Sequence, residues 1–206
     1  MPLTPYDRPV YPVLLLISGP SGVGKDTIAR RVIERKPDEF YFVVTATTRP
    51  PRDDEVEGVD YFFVTQSEFA RMIDDDELLE YAFVYGDYKG VPKQQIREAL
   101  DSGKNVIMRV DVQGAATVRE LIPEVITVYL TTPTEDDLVQ RLIERDSESE
   151  EALKIRIARA RDEIRHLKEF DYCVVNADDD QETAVDHVLA IVDAAQCRVE
   201  QHPIQV

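Results

Sequence analysis

A glycine-rich segment near the N-terminus constrains the fold of this chain more than any other feature. Residues 14–32 are LLLISGPSGVGKDTIARRV, and they contain the spacing G-x-x-x-x-G-K from Gly19 to Lys25. An apolar run typical of a buried strand precedes this spacing, and a helix-type pattern with Ile28 and Val32 follows it. In that context the backbone N–H groups and the helix N-terminus can bind phosphate, which distinguishes the segment from an ordinary glycine-rich turn. The sequence therefore predicts a phosphate-binding loop.

The loop residues are expected to surround the phosphates of a nucleotide, with the lysine reaching the β- and γ-phosphates. These residues are Gly19, Pro20, Ser21, Gly22, Val23, Gly24, Lys25, Asp26 and Thr27. A Ser or Thr hydroxyl normally follows the lysine and holds Mg²⁺. Here Asp26 follows it, and Thr27 comes one position later, so Asp26 is the candidate metal contact.

Strand-type and helix-type patterns alternate along the rest of the chain. The strand-type segments are 41–46, 61–64, 77–85, 105–112, 125–131 and 172–176. Adjacent prolines, charges and glycines predict loops or turns at 47–61 and 86–92. This alternation predicts an α/β fold, with a mostly parallel sheet covered by helices on both faces. We expect one domain over 13–206, after a flexible arm over 1–12 that does not resemble a secretory signal.

Composition excludes several classes of function. The net charge of −17 argues against general nucleic-acid binding, which requires a basic surface. The longest apolar stretch, over residues 13–17, is too short to cross a bilayer. Only two cysteines occur, which favours a reducing, cytoplasmic location over a disulfide framework. Nothing in the sequence identifies a protein partner.

A second candidate site lies in TATTRPPR, which contains Thr45, Arg49 and Arg52 and is followed by Glu55 and Tyr61. Guanidinium groups bind phosphate oxygens in pairs, so two arginines three residues apart on a loop suit a phosphate. Taken alone, the same two arginines would more simply form a solvated basic turn.

Five segments together resemble the guanylate kinase family over residues 13–195. They are the phosphate loop, TATTRPPR..E..GVDY, LLEYA, VDVQGA and FDYCVVN, in that order. The resemblance implies ATP-dependent, Mg²⁺-assisted phosphorylation of GMP to GDP. It also implies a P-loop α/β core (13–44 and 93–206), an inserted GMP-binding lobe (45–92) and a helical lid (about 134–156).

The resemblance assigns roles residue by residue. Thr45, Arg49, Arg52, Tyr61 and Lys89 match positions that bind the GMP phosphate, and Glu80, Val91 and Asp111 match positions near the base. A carboxylate at Glu80 suits guanine, which presents two adjacent donors on one edge. Arg145 and Arg156 match lid arginines that act with Lys25 and Arg49 on the transferred phosphoryl group. Asn176 matches a position that contacts adenine.

The chain departs from the family pattern at several positions. Lys89 replaces a tyrosine, Val91 replaces a hydroxyl that helps to recognise guanine, and Glu144 and Asp146 replace glycines beside the lid arginine. The missing hydroxyl should loosen guanine selection. Two alternatives therefore stay open: a P-loop kinase for another phosphorylated acceptor such as ribose bisphosphate, and a non-catalytic guanylate-kinase-like binding module.

Asp26 and Arg109 form the last departure. The family has a hydroxyl in the loop and an acid on the later strand, whereas this chain has an acid in the loop and a base on the strand. The strand over 105–112 should lie beside the strand that precedes the loop, so we expect Arg109 to neutralise Asp26. The alternative is that Asp26 only stabilises the N-terminus of the following helix.

Overall fold

The strand that precedes the glycine-rich loop lies at the centre of a parallel sheet. The computed structural model describes residues 9–53, 55–84, 86–144 and 150–206. The strands in chain order are β1 Leu14–Ser18, β2 Phe40–Phe42, β3 Thr45–Thr47, β4 Tyr61–Phe63, β5 Leu78–Val84, β6 Asp87–Pro92, β7 Asn105–Arg109, β8 Ile126–Thr131 and β9 Tyr172–Val175. The helices are α1 Lys25–Arg35, α2 Gln66–Asp74, α3 Lys93–Asp101, α4 Val112–Leu121, α5 Glu135–Glu144, α6 Glu150–Ile164 and α7 Gln181–Gln196, with a 3₁₀ helix at Arg165–Glu169.

Five strands form the central sheet in the order β2-β7-β1-β8-β9. Every pairing in it is parallel, so the carboxyl ends of the strands share one edge, as expected for an α/β fold. Ile17 lies beside Arg109 of β7 on one side and Val128 of β8 on the other. The register therefore places Arg109 at the edge where the loop leaves β1.

Helices cover both faces of the central sheet, which explains why β1 is apolar from Leu14 to Ile17. Leu15 and Ile17 pack on one face with side chains of α1 and α7. Leu14 and Leu16 pack on the other face with side chains of α3 and α4. Every residue of β1 is buried. Among the residues that the structure describes, no helix is both long enough and apolar enough to span a membrane.

Four strands form a second sheet in the order β4-β3-β6-β5. β3 pairs with β4 in parallel and with β6 antiparallel, and β6 also pairs antiparallel with β5. The prediction of a turn over 86–92 was wrong, because most of that segment is β6. Its position between β3 and β5 supplies hydrogen-bond partners that local composition does not reveal.

The segment before β1 makes backbone hydrogen bonds to side chains from two other parts of the fold. Residues 1–8 of the predicted N-terminal arm lie outside the described residues. Val13 donates its N–H to Asn105 Oδ1 at 2.8 Å, and Tyr11 donates its N–H to Gln201 Oε1 at 3.1 Å. The segment before β1 is thus joined to β7 and to the residues after α7.

Substitution of Gly19 tests the close contact between the loop and β8. Gly19 has φ +132°, and a Cβ built there would lie 2.1 Å from the carbonyl oxygen of Leu130 in β8. We expect Gly19→Ala to lower the free energy of unfolding by about 3 kcal/mol or more, since backbone strain and overpacking add together. Equilibrium urea unfolding measures this loss.

Gly103→Ala is the matched control. Gly103 also has a positive φ, +79°, but a Cβ there meets no atom within 4 Å. Strain alone should cost about 1–2 kcal/mol. Equal losses in the two variants would show that the contact with Leu130 imposes no constraint.

Candidate active site

A cleft of about 1240 Å³ lies where the loop edge of the central sheet faces the second sheet. Most of the residues predicted from the sequence to form the site line this one cleft. They are Gly19, Ser21, Gly22, Gly24, Lys25, Asp26, Thr27, Thr45, Arg49, Arg52, Tyr61, Glu80, Lys89, Val91, Asp111 and Arg156. The fold thus brings together segments that are more than a hundred residues apart in sequence.

Four predicted site residues are not placed in this cleft. Pro20 and Val23 are buried residues of the loop itself. Asn176 is only 1% exposed, and its side-chain N–H donates to the carbonyl oxygen of Val23 at 2.8 Å. Asn176 thus contacts the phosphate loop, and its contact with adenine stays a prediction. Arg145 lies outside the described residues.

The phosphate loop connects β1 to α1 and leaves the helix N-terminus available to an anion. Gly24 occupies the N-cap position with φ 89°, and within the described chain no side chain caps this end. Lys25 Nζ donates to the carbonyl oxygens of Gly19 at 2.6 Å and Pro20 at 3.0 Å. Burial lowers the pKa of Lys25 to about 8. A bound phosphate would favour its charged form.

Glu163 is a site residue that the sequence analysis missed. It lies on α6, seven residues after Arg156, so two helical turns place both side chains on one face, and both line the cleft. Burial raises the pKa of the Glu163 carboxyl, and the Lys25 ammonium opposes that effect. The backbone of Ser21 acts in the same direction as Lys25. Glu163 therefore lies on α6 near the charged groups of the phosphate loop.

Cationic groups surround the ring of Tyr61. The guanidinium carbons of Arg49 and Arg109 lie 5.4 and 4.6 Å from the ring centroid, and Lys89 Nζ lies 5.6 Å from it. Glu55 orients Arg49, because Arg49 Nη2 donates to both of its carboxylate oxygens, at 2.7 and 2.9 Å. Thr45 and Arg52 line the same cleft. This concentration of positive charge suits a phosphate group.

A buried carboxylate lies at the junction of the two sheets. Burial and the charge of Asp111 raise the pKa of Glu80 to about 8. Asp111 caps α4, where it accepts from the N–H groups of Gln113 at 3.0 Å and Gly114 at 2.8 Å. A Cβ on Gly114 would lie 2.7 Å from Glu80 Oε1, so the glycine leaves room for the carboxylate. Paired acceptors in an apolar surrounding suit a ligand edge that carries adjacent donors.

Val91 lies beside Glu80 in the register of β5 and β6. It is 1% exposed and packs with Leu79 and Ile96. The position where the family pattern has a hydroxyl is therefore apolar and tightly enclosed in this chain.

The predicted contact between Asp26 and Arg109 is confirmed. Arg109 Nη1 forms an ion pair with Asp26 Oδ1, at the edge where β7 ends and α1 begins. The Arg109 side chain is 9% exposed and that of Asp26 is 41% exposed. Asp26 lies in the first turn of α1, but Gly24 is the N-cap. The ion pair thus shows that Asp26 does more than stabilise the helix N-terminus, although its place in the first turn also suits that role.

Comparison with known proteins agrees with this geometry. The sequence model for guanylate kinase matches residues 11–195. The chain is 48% identical over 206 residues to guanylate kinase 2, chloroplastic/mitochondrial, of Oryza sativa subsp. japonica, covering 100% of this chain and 71% of the relative. It is 44% identical over 189 residues to a guanylate kinase of Clostridium perfringens (strain SM101 / Type A), covering 92% and 86% of the two chains.

A solved structure shows the same fold. The crystal structure of guanylate kinase from Anaplasma phagocytophilum superposes with a TM-score of 0.74 at 29% identity, covering 92% of this chain and 89% of that one. It agrees with the predicted α/β fold, in which a mainly parallel sheet carries the phosphate loop at its carboxyl edge. Together with the family match over 11–195, this likeness shows that the chain belongs to the guanylate kinase family.

Proposed function

We propose that this protein transfers the γ-phosphoryl group of ATP to GMP and releases ADP and GDP. One observation carries the proposal: a single cleft holds the phosphate loop with Lys25, the cations around Tyr61, and the buried Glu80. These three features suit a nucleoside triphosphate, an acceptor phosphate and a guanine base, respectively.

Glu80 is the proposed guanine contact. In its ionised form it accepts from N1–H and from the exocyclic amine of guanine, while Asp111 adds a second acceptor nearby. Adenine lacks the N1–H donor, so it would leave a buried carboxylate without a partner, which is costly. Ribose bisphosphate carries no base, and the placement of Glu80 beside Asp111 therefore favours a purine acceptor.

The chemistry needs position and charge more than it needs a base. An oxygen of the GMP phosphate forms a bond to the γ-phosphorus, and the bond from the γ-phosphorus to the bridging oxygen breaks, with its electrons leaving on ADP. Arg49, Arg52, Tyr61 and Lys89 hold the acceptor phosphate in line, and Lys25 offsets charge on the donor. This set of charges also favours an enzyme over a non-catalytic binding module.

The lobe and lid would complete the site. We propose that residues 45–92 move with bound GMP, and that the segment at about 134–156 closes over the phosphates and excludes water. Arg156 already lines the cleft from α6. Arg145, which lies outside the described residues, is the second proposed lid arginine.

Mg²⁺ fits as a partner of the ATP phosphates. Within the described ranges, no group of three or more His, Cys, Asp or Glu side chains is arranged to hold a metal by itself. Protein sites for Mg²⁺ on nucleotides typically supply one or two oxygens and leave the rest to phosphates and water. Asp26 and Thr27 are the donors beside the loop. The ion supplies charge neutralisation to the phosphates when bound.

A cytoplasmic location is also proposed. Cys173 and Cys197 are both free and exposed, and a reducing compartment keeps thiols in that state. The proposed small-molecule partners are ATP and GMP.

Lys25→Ala tests the phosphate loop. We expect kcat for GMP phosphorylation to fall by about a hundredfold or more, because a positive charge aimed at the transferred group is lost. The fold should persist, since the variant removes a buried charge. A coupled assay for ADP formation and circular dichroism measure the two effects.

Lys36→Ala is the matched control for that loss of charge. Lys36 follows α1 and pairs with Glu39 on the surface, 3.0 Å away. Turnover of Lys36→Ala should stay within about twofold of the parent, because exposed ion pairs contribute little to stability. Parental turnover in Lys25→Ala would contradict the role given to the loop.

The raised pKa of Glu80 predicts a pH dependence for GMP binding. Only ionised Glu80 accepts both guanine donors, and with a pKa of about 8 it is mostly protonated at pH 6. At saturating ATP, KM for GMP should fall about tenfold per pH unit between pH 6 and 7 and level off above pH 8. Steady-state kinetics across this range measure the slope.

Glu80→Gln separates this effect from ionisation of the GMP phosphate, whose second pKa lies near 6. In Glu80→Gln, KM for GMP should change with pH only below about pH 6.5, where the GMP phosphate becomes protonated. If the parent and Glu80→Gln show the same profile, Glu80 does not titrate on binding GMP.

Val91→Ser tests whether the missing hydroxyl loosens guanine selection. A hydroxyl beside Glu80 should raise the ratio of kcat/KM for GMP over that for AMP by up to about tenfold, the value of one neutral hydrogen bond. Stability should fall by about 1–3 kcal/mol, since a buried apolar group is lost. Val43→Ser, equally buried but not part of the cleft lining, should lose stability without changing the ratio. An unchanged ratio in Val91→Ser would contradict the assignment.

A further inference from the structure

Arg109 contacts both halves of the cleft through one guanidinium group. Nη1 pairs with Asp26 in the first turn of α1, and Nη2 donates to the backbone carbonyl of Asp60 at 2.9 Å. The guanidinium also lies 4.6 Å from the ring centroid of Tyr61 and 5.4 Å from that of Phe42. Arg109 therefore joins the donor side of the cleft to the segment that carries the proposed acceptor-phosphate contact.

A second ion pair strengthens the same junction. Arg30 on α1 pairs with the Asp60 carboxylate, whose other oxygen accepts from the N–H of Val56 at 2.8 Å. The Asp60 side chain is 19% exposed, and that of Arg30 is 44% exposed. The segment around Asp60 is thus held against α1 through its side chain and against β7 through its backbone.

The planar fork of arginine makes the two contacts of Arg109 interdependent. A guanidinium moves as one rigid unit, so a shift of Nη1 towards Asp26 also moves Nη2 and the face over Tyr61. Burial of the side chain between Phe42 and Tyr61 limits other positions. A triphosphate in the loop would add negative charge beside Asp26. We expect this charge to attract the Arg109 guanidinium and to restrict its orientation.

We infer that Arg109 is a positioning residue that couples the two substrate sites: occupation of the phosphate loop, acting through Asp26 and Arg109, orders Asp60–Tyr61 and raises the affinity for the acceptor phosphate. This inference rests on the proposed function, because it takes the loop as the donor site and Tyr61 as part of the acceptor site. Linkage requires the effect to be reciprocal, so GMP must raise the affinity for ATP by the same factor.

Binding measurements test the coupling without catalysis. The dissociation constant of GMP is measured by isothermal titration calorimetry with and without saturating β,γ-methylene-ATP and Mg²⁺. In the parent, the analogue should tighten GMP binding by about fivefold or more, the lower end of typical coupling factors. Arg109→Lys keeps the positive charge, but a single ammonium group cannot contact Asp26 and the Asp60 carbonyl together. The ratio of the two dissociation constants should therefore fall to nearly one.

Two further variants identify the route. Asp26→Asn removes the charge that the loop presents to Arg109 and should also reduce the factor. Arg35→Lys is the matched control: Arg35 is another arginine of α1 that pairs with two acids, Glu182 and Asp186, but these lie on α7. It should keep the parental factor. Thermal melts exclude unfolding as the cause of any loss.

A double-mutant cycle adds an independent readout. Asp26→Ser and Arg109→Asp, made singly, should each lower kcat/KM for GMP, and the double variant, which restores the more usual family arrangement, should recover much of the loss. Strictly additive effects would overturn the inference that the two side chains act as a unit.

The outcomes distinguish this inference from the proposed function. If the parent neither binds nor phosphorylates GMP, the proposed function is wrong and the coupling falls with it. If the parent phosphorylates GMP but shows no tightening by the analogue, or if Arg109→Lys keeps the parental factor, only the coupling is overturned.

Discussion

The parallel pairing of β1 with both β7 and β8 is the constraint on which the rest of the structure depends. It satisfies both edges of β1, while helices bury its two faces, and it fixes the point where the glycine-rich loop leaves the sheet. β8 places the carbonyl of Leu130 against Gly19, and β7 places Arg109 at the first turn of α1. A shift of register in either pairing would separate the loop from the groups that support and neutralise it.

Local charge decides what this acidic chain can bind. The net charge is −17, yet the cleft is lined by basic side chains. These are Lys25, Arg30, Arg31, Arg49, Arg52, Lys89, Arg109 and Arg156. Several acids in the cleft are already engaged, as Glu55 is with Arg49 and Asp26 is with Arg109. An anionic substrate therefore meets local clusters of positive charge, at Lys25 and around Tyr61, within a negative surface. This arrangement is compatible with phosphate binding and disfavours long polyanions.

Local patterns predicted the phosphate loop and the alternating α/β order. The contact between Asp26 and Arg109, which lie far apart in sequence, was predicted from their departure from the family pattern and from the rule that parallel strands end at one edge. The predicted strand over 105–112 was too long, because Asp111 begins α4 as its N-cap and the apolar run conceals that boundary. β6 forms a hairpin with the adjacent β5 that its turn-type composition concealed. The place of Glu163 and the contact of Asn176 with Val23 depend on partners distant in sequence, for which composition carries no signal.

The proposed base contacts lie on two different parts of the molecule. Glu80 belongs to the second sheet, whereas Asp111 and Gly114 belong to the start of α4 on the central sheet, and α4 packs on β5. The gap between the two carboxylates is set by that packing, with the bare backbone of Gly114 as the spacer. Under the proposed function, the distance between the two base contacts therefore depends on how the second sheet packs against the central sheet. We expect substitutions that alter only this packing, at positions remote from the cleft, to change which base is accepted.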